Sequence, residues 1–193
     1  MTPVQLLTVW IVPLILAFTL HEAGHAYAAY LCGDRTAYEQ GRLSLNPLRH
    51  IDPLGSILLP GIGILAGVFA NLILLTLSLA LLYTLPLMPA SATVWLEENL
   101  KNSAQINAWL FVLNLLPVPG FDGARVLVAL LPVRLGQALE RYAYLGTLIL
   151  LALFLVVPMV TRALHVDFDP YRTLVAIPGL MLELGIAHLL GLA

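Results

Sequence analysis

The sequence predicts an all-α polytopic membrane protein with four to five transmembrane helices and a short membrane-associated β-hairpin after the first helix. Three observations predict it. Charged residues make up 10% of the 193-residue chain, against about a quarter in an ordinary soluble domain. The hydrophobic share is 60% and the mean hydropathy is +0.93. The charges also cluster, leaving uncharged gaps of about 20 residues, the length a helix needs to cross the hydrocarbon core of a bilayer. A domain of this length leaves much of its surface exposed, and so few charges cannot keep it in water. These features exclude a soluble globular protein, a disordered tail and a nucleic-acid binder. A formal net charge of −2 gives no electrostatic reason for a polyanionic partner. The expected solvent is the lipid bilayer.

The charge gaps place the elements in order. Residues 1–20 are uncharged and apolar character continues past His21 to about Leu31, giving the first span. This stretch has no basic n-region and no small-residue cleavage site, so it reads as a retained helix and not as a signal peptide. The segment 36–48 is the least helical: Arg42-Leu43-Ser44-Leu45 alternates and Asn46-Pro47 turns, the pattern of short strands joined by a turn. Such a hairpin either offers an edge to an extended peptide or is a surface feature without a partner. A second span follows at 62–85, with 57–60 as a lead-in, bounded by Pro60, Gly61, Pro86 and Pro89. The third, 102–121, ends in the breakers Pro117, Pro119 and Gly120. A fourth covers 142–161, and a weaker fifth, interrupted by Pro178, Gly179 and Glu183, covers 174–192. The chain reads as one integral-membrane domain, with a core over 1–131 and additional helices over 142–192. Arg35, Arg42, Arg49, Arg134 and Arg141 fall in the first and third connections, against Lys101, Arg162 and Arg172 in the second and fourth. This weak bias puts the first loop in the cytoplasm and the N-terminus outside a cell membrane.

Chemistry concentrates in the first span. His21-Glu22-Ala23-Gly24-His25 is an H-E-x-x-H pattern, expected by chance in fewer than about one chain of this length in a hundred. Residues four apart on a helix differ by about 40° and about 6 Å of rise, so both imidazoles leave one face toward a common point. Two neutral imidazoles at that spacing can hold a zinc ion. Glu22 stands beside them, where its carboxylate can reach a water molecule rather than the metal. Ionisable groups at membrane depth are costly and mark function.

A catalytic zinc site takes three protein ligands. His50, His165 and His188 lie in loops or in the weak last span and read as solvated or interfacial. The lone cysteine, Cys32, reads as a small buried hydrophobe. Most carboxylates fall in connections, which leaves Asp122 and Glu183. Asp122 follows a span broken by two prolines and a glycine, and broken backbone at membrane depth is tolerated only where protein or a watery cavity satisfies it. It can serve as the third ligand or as the N-cap of a helix beginning at Ala124. Glu183 fits snorkelling or pairing with a neighbour.

His21 to His25, followed after about a hundred residues by Asn114-x-x-Pro117-x-Pro119-x-x-Asp122-Gly123, resembles the site-2 protease family of intramembrane zinc metalloproteases. Gly67-Val68-Phe69-Ala70-Asn71 is similar to that family's Gly-x-x-x-Asn segment. Gly41 to Leu48 and His50 to Gly55 look like a compact prokaryotic branch without a PDZ domain. The resemblance implies His21, His25 and Asp122 as zinc ligands and Glu22 as general base and acid. It also implies Asn114 and Asn71 as residues that hold the substrate backbone or a developing oxyanion. The branch's usual Gly-Trp-x-Lys-Pro-Val insert is missing, the stretch being reduced to 56–65. The expected activity is zinc-dependent hydrolysis of peptide bonds in or near transmembrane segments of membrane protein substrates. The rival readings are a membrane zinc carrier and a catalytically inactive binder of membrane proteins. Transport favours several exchangeable sites along a path, whereas this sequence offers one compact set.

Overall fold

The computed structural model describes residues 1–49, 61–141 and 143–192. Helix α1 spans Pro3–Leu31, 29 residues, or about 44 Å at the usual rise. Its entry is fixed by Thr2, which accepts from Gln5 N while the Gln5 side chain accepts from Thr2 N, a reciprocal capping box. The exposed face of α1 is apolar: Val4, Leu7, Trp10, Ile11, Leu14 and Phe18 all point outward. The buried face holds Ala17, Thr19, His21, His25, Ala26 and Ala29. Small and polar groups inside with large apolar groups outside is the arrangement of a helix whose surroundings are lipid.

The segment predicted as a hairpin is not one. Among the described residues there is no strand. The short helix α2, Thr36–Glu39, is followed by a turn in which Gly41 takes φ +69°, and then a 3₁₀ turn at Pro47–Arg49. Local bonds absorb the backbone groups that a ladder needs. Thr36 N donates to Asp34 Oδ1, Arg42 N to the Ala37 carbonyl, Asn46 N to Ser44 Oγ and Leu48 N to Asn46 Oδ1. Bonds from Thr36, through its side chain and its backbone, hold the Asp34 carboxyl below the usual carboxylate range. The 57–60 lead-in and His50 lie outside the described residues.

A 3₁₀ turn, Gly61–Leu65, leads into helix α3, Ala66–Leu81, which continues as a 3₁₀ stretch over Leu82–Leu87. Helix α4, Ala90–Leu115, begins well before the predicted third span and carries Glu97, Glu98 and Lys101 in its first half. After the break at 116–121 come α5, Asp122–Leu130, and α6, Val133–Arg141. Helices α7, Ala143–Leu151, and α8, Val157–Ala163, are joined by a π-helical turn at Ala152–Val156. Another π-helical turn, Arg172–Ala176, opens α9, Ile177–Leu189. Each of these turns ends just before a proline, Pro158 or Pro178. The wider turn accommodates a ring that brings no N–H and crowds the carbonyl four residues back. Four stretches are long and apolar enough to cross a membrane: Pro3–Leu31, Gly63–Leu87, Tyr144–Ala163 and Arg172–Leu189. These answer to the predicted first, second, fourth and fifth spans; the third became part of the more polar α4.

Helices α1, α3 and α4 pack against one another, and α9 covers α4. Leu75, Leu79, Ala104 and Ala108 form the α3–α4 core, with Leu182 and Ile186 of α9 against it. Pro13 inside α1 cannot donate to the Val9 carbonyl. Asn102 of α4 supplies the missing donor, its Nδ2 lying 2.9 Å from Val9 O in a buried setting. Asn102→Leu is therefore expected to destabilise the protein by about 1–3 kcal/mol, the cost of an orphaned buried carbonyl, read as a lower unfolding midpoint in detergent. Adding Pro13→Ala should recover most of that loss, because residue 13 then donates to Val9 within the helix. An undiminished loss in the double variant would refute the assignment.

Candidate metal centre

His21 and His25 leave the buried face of α1 one turn apart, 6% and 4% exposed. Their rings meet edge to face at 84°, with Nε2 atoms 3.2 Å apart. Asp122, the first residue of α5, brings Oδ2 to 3.1 Å from His25 Nε2 and 3.4 Å from His21 Nε2. Asp122 does not cap its helix: Phe121 holds the N-cap position and no side chain makes a cap bond there. The carboxylate is turned to the imidazoles and makes no cap bond.

The donor chemistry fits a metal ion. His25 Nδ1 lies 3.0 Å from the Gly63 carbonyl, which can only accept, so that nitrogen carries the proton. His21 Nδ1 lies 2.6 Å from Asn71 Oδ1, again an acceptor. In the neutral rings both Nε2 atoms are then lone-pair donors that face each other and a carboxylate oxygen. A metal ion at their centre satisfies all three at once. Ligands about 2.0–2.1 Å from a tetrahedral zinc stand about 3.3–3.4 Å from one another, and the three edges here are 3.1, 3.2 and 3.4 Å. Among the described residues these three are the group of His, Cys, Asp or Glu side chains that could hold a metal ion.

Backbone close approach makes the arrangement possible. A Cβ at Gly67 of α3 would stand 2.4 Å from His25 Nε2 and 2.6 Å from His21 Nε2, so the absence of a side chain there leaves the ligand face open. A Cβ at Gly123 would meet the Leu115 carbonyl oxygen at 2.4 Å, so this glycine lets the start of α5 fold back onto the end of α4 and presents Asp122 inward. The other carboxylate oxygen of Asp122, Oδ1, lies 3.6 Å from Arg125 Nη1, one turn along α5.

Glu22 is exposed, beside His21 but off the buried face, as a step of about 100° along a helix requires. Asn114 is half-buried in the last turn of α4, donating to the Leu110 carbonyl at 3.0 Å with one of its two amide hydrogens. Asn71, expected from the resemblance to hold substrate, is fully buried, with Oδ1 on His21 and Nδ2 on Asn107 Oδ1 at 2.8 Å. Cys32 is exposed at the end of α1 and not buried as expected, and it is outside the cluster. His165 and His188 are also outside it. Sequence reasoning missed Asn107 and Arg125 altogether and gave Gly67 no role beyond its motif. The signal for Asn107 was a polar residue in an uncharged gap.

Fold and site together define a polytopic helical protein whose H-E-x-x-H helix and a distant aspartate converge on a buried His₂Asp centre. "Putative zinc metalloprotease YwhC" of Bacillus subtilis is 34% identical to the chain, covering 79% of it and 82% of the relative. "Putative zinc metalloprotease Rip2" of Mycolicibacterium smegmatis is 34% identical, covering 77% of the chain and 66% of the relative. Its namesake from Mycobacterium tuberculosis strain H37Rv is 33% identical, covering 79% and 67%. No family profile and no solved structure matches the chain. The chain belongs to the zinc metalloprotease family of these relatives, in line with the site-2 protease-like resemblance of its motifs.

Proposed function

We propose that the protein is a zinc-dependent intramembrane endopeptidase that hydrolyses peptide bonds within or near transmembrane segments of membrane proteins. The observation that carries this reading is the triangle of His21 Nε2, His25 Nε2 and Asp122 Oδ2, sized for a tetrahedral ion and adjoining Glu22. Zinc held there supplies Lewis acidity, which makes water a nucleophile near neutral pH and polarises a scissile carbonyl. Glu22, exposed beside the ligands, takes the proton of the attacking water and returns it to the leaving amine. Asn114 has an amide hydrogen left for the developing oxyanion, a contact worth about 3 kcal/mol in proteases that use one. A helical substrate must unwind locally before its scissile bond can reach these groups. The arginines of the first and third connections support a cytoplasmic first loop and an external N-terminus in a cell membrane.

Purified protein in lipid vesicles with a tagged transmembrane peptide tests the reading. The expected result is cleavage that stops when a chelator strips the metal and returns with added zinc. Zinc movement across the vesicle wall without cleavage would establish a carrier instead, and peptide capture with neither would establish an inactive binder.

A further inference from the structure

His25 has its tautomer fixed directly by a backbone carbonyl, whereas His21 depends on a side-chain amide that could in principle turn either way. The orientation of Asn71 is set two steps further into the α3–α4 interface. Asn107 Nδ2 lies 2.8 Å from the carbonyl oxygen of Ser103, which can only accept, so this end of the Asn107 amide must be its nitrogen. Ser103 Oγ, held at 2.7 Å by Ser78 Oγ, lies 3.4 Å from the same nitrogen. Asn107 Oδ1 therefore faces Asn71, and the nearer group of Asn71, at 2.8 Å, must be its NH₂. Asn71 then has only its oxygen to offer His21, and His21 Nδ1 must donate. Asn71 and Asn107 are both completely buried, so no solvent can supply an alternative partner at either.

We infer that Asn107 is a positioning residue for the metal centre: through Asn71 it carries the polarity of the Ser103 carbonyl to His21 and holds the His21 Nε2 lone pair toward the metal position. The inference rests on His21 being a ligand, as proposed above. Residues that orient metal-bound imidazoles alter affinity by about 10–100-fold when replaced. Asn107→Leu removes the acceptor that Asn71 Nδ2 needs, freeing the amide to turn and the ring to change tautomer. Asn71→Asp does the opposite, since a carboxylate accepts from His21 Nδ1 at either oxygen; its second oxygen then opposes Asn107 Oδ1, another acceptor, until that amide turns or is removed.

The test uses the full chain in detergent, with zinc affinity read by competition with a chromophoric chelator and imidazole tautomers read by ¹⁵N NMR on metal-free protein. Asn107→Leu should weaken zinc binding by about 10–100-fold and shift His21, not His25, toward the Nε2–H form. In the Asn71→Asp background the same substitution should leave the His21 tautomer unmoved and cause no such loss of zinc affinity. If Asn107→Leu does not accumulate, Asn107→Ala serves, as it also lacks the acceptor. Unchanged His21 nitrogen shifts in the single variant, or an equal loss in both backgrounds, would overturn the inference. Failure of the wild-type chain to bind zinc would instead overturn the ligand assignment, and the tautomer measurement would still decide the role of Asn107.

Discussion

Glu22→Gln is expected to retain zinc at wild-type stoichiometry while losing peptide-bond cleavage by about 10²–10⁴-fold, the range that a positioned general base contributes. The two halves of this expectation come from different observations. Zinc retention follows because the three clustered donors are His21, His25 and Asp122, with Glu22 outside the set. Loss of cleavage follows because the glutamine amide has nearly the shape of the carboxylate but no basic oxygen for the proton. Folding should not intervene: Glu22 is exposed on a helix, and such surface changes usually stay within about 0.5 kcal/mol. His21→Ala provides the contrast, because it should lose metal and activity together. Metal analysis and a cleavage assay on the same preparations separate the cases. Cleavage by Glu22→Gln at the wild-type rate would remove Glu22 from the chemistry, and metal loss in that variant would make it a ligand.

The separation of Glu22 from its neighbours was legible in the sequence because it is a property of one helix. A step of one residue turns the side chain off the buried face, and a step of four returns it. Asp122 was legible for another reason: most carboxylates fall in connections, and this one follows a proline-broken span. What failed was inference that needed a partner. The alternation Arg42-Leu43-Ser44-Leu45 matches a strand, but a strand exists only if a second one pairs with it. Here Asp34, Ser44 and Asn46 bond the local backbone instead.

Charge gaps used as a ruler misplaced the third span for a related reason. Glu97, Glu98 and Lys101 sit inside a continuous helix, and Lys101 pairs with Glu97 at 2.6 Å one turn away. The same helix carries Asn102 and Asn107, whose partners belong partly to other helices: the Val9 carbonyl in one case and Asn71 in the other. A polar residue in an apolar stretch announces that it needs a partner but does not name it. The sequence could therefore pick out the three donors that cluster, and it could not show which residues hold them in register.

Gly67 is the extreme case, since its contribution is the absence of atoms. Gly67→Ala should abolish zinc binding at concentrations that saturate the wild type, weakening affinity by more than the 10–100-fold or so lost when a ligand's orienting partner is replaced. The added carbon would lie 2.4 Å from His25 Nε2 and 2.6 Å from both Nε2 and Cε1 of His21, against the two donor nitrogens themselves. The rings cannot easily swing away, because their Nδ1 atoms are bonded to Gly63 O and Asn71 Oδ1. Helix propensity acts in the opposite direction, favouring alanine by up to about 1 kcal/mol in a helix interior and by less at the second residue of α3, so intrinsic backbone preference gives no reason for binding to fall. Gly24→Ala is the control: its Cβ would meet the Ala66 carbonyl oxygen at 2.9 Å and Ala70 Cβ at 3.3 Å, crowding the same α1–α3 contact away from the donor nitrogens. It should lower the unfolding midpoint, as overpacking does by about 1–3 kcal/mol, with a smaller change in zinc affinity. Equal affinity losses in the two variants would mean that helix spacing, and not the space in front of the imidazoles, controls the metal. Wild-type affinity in Gly67→Ala would mean that the ion does not sit where the three donors point.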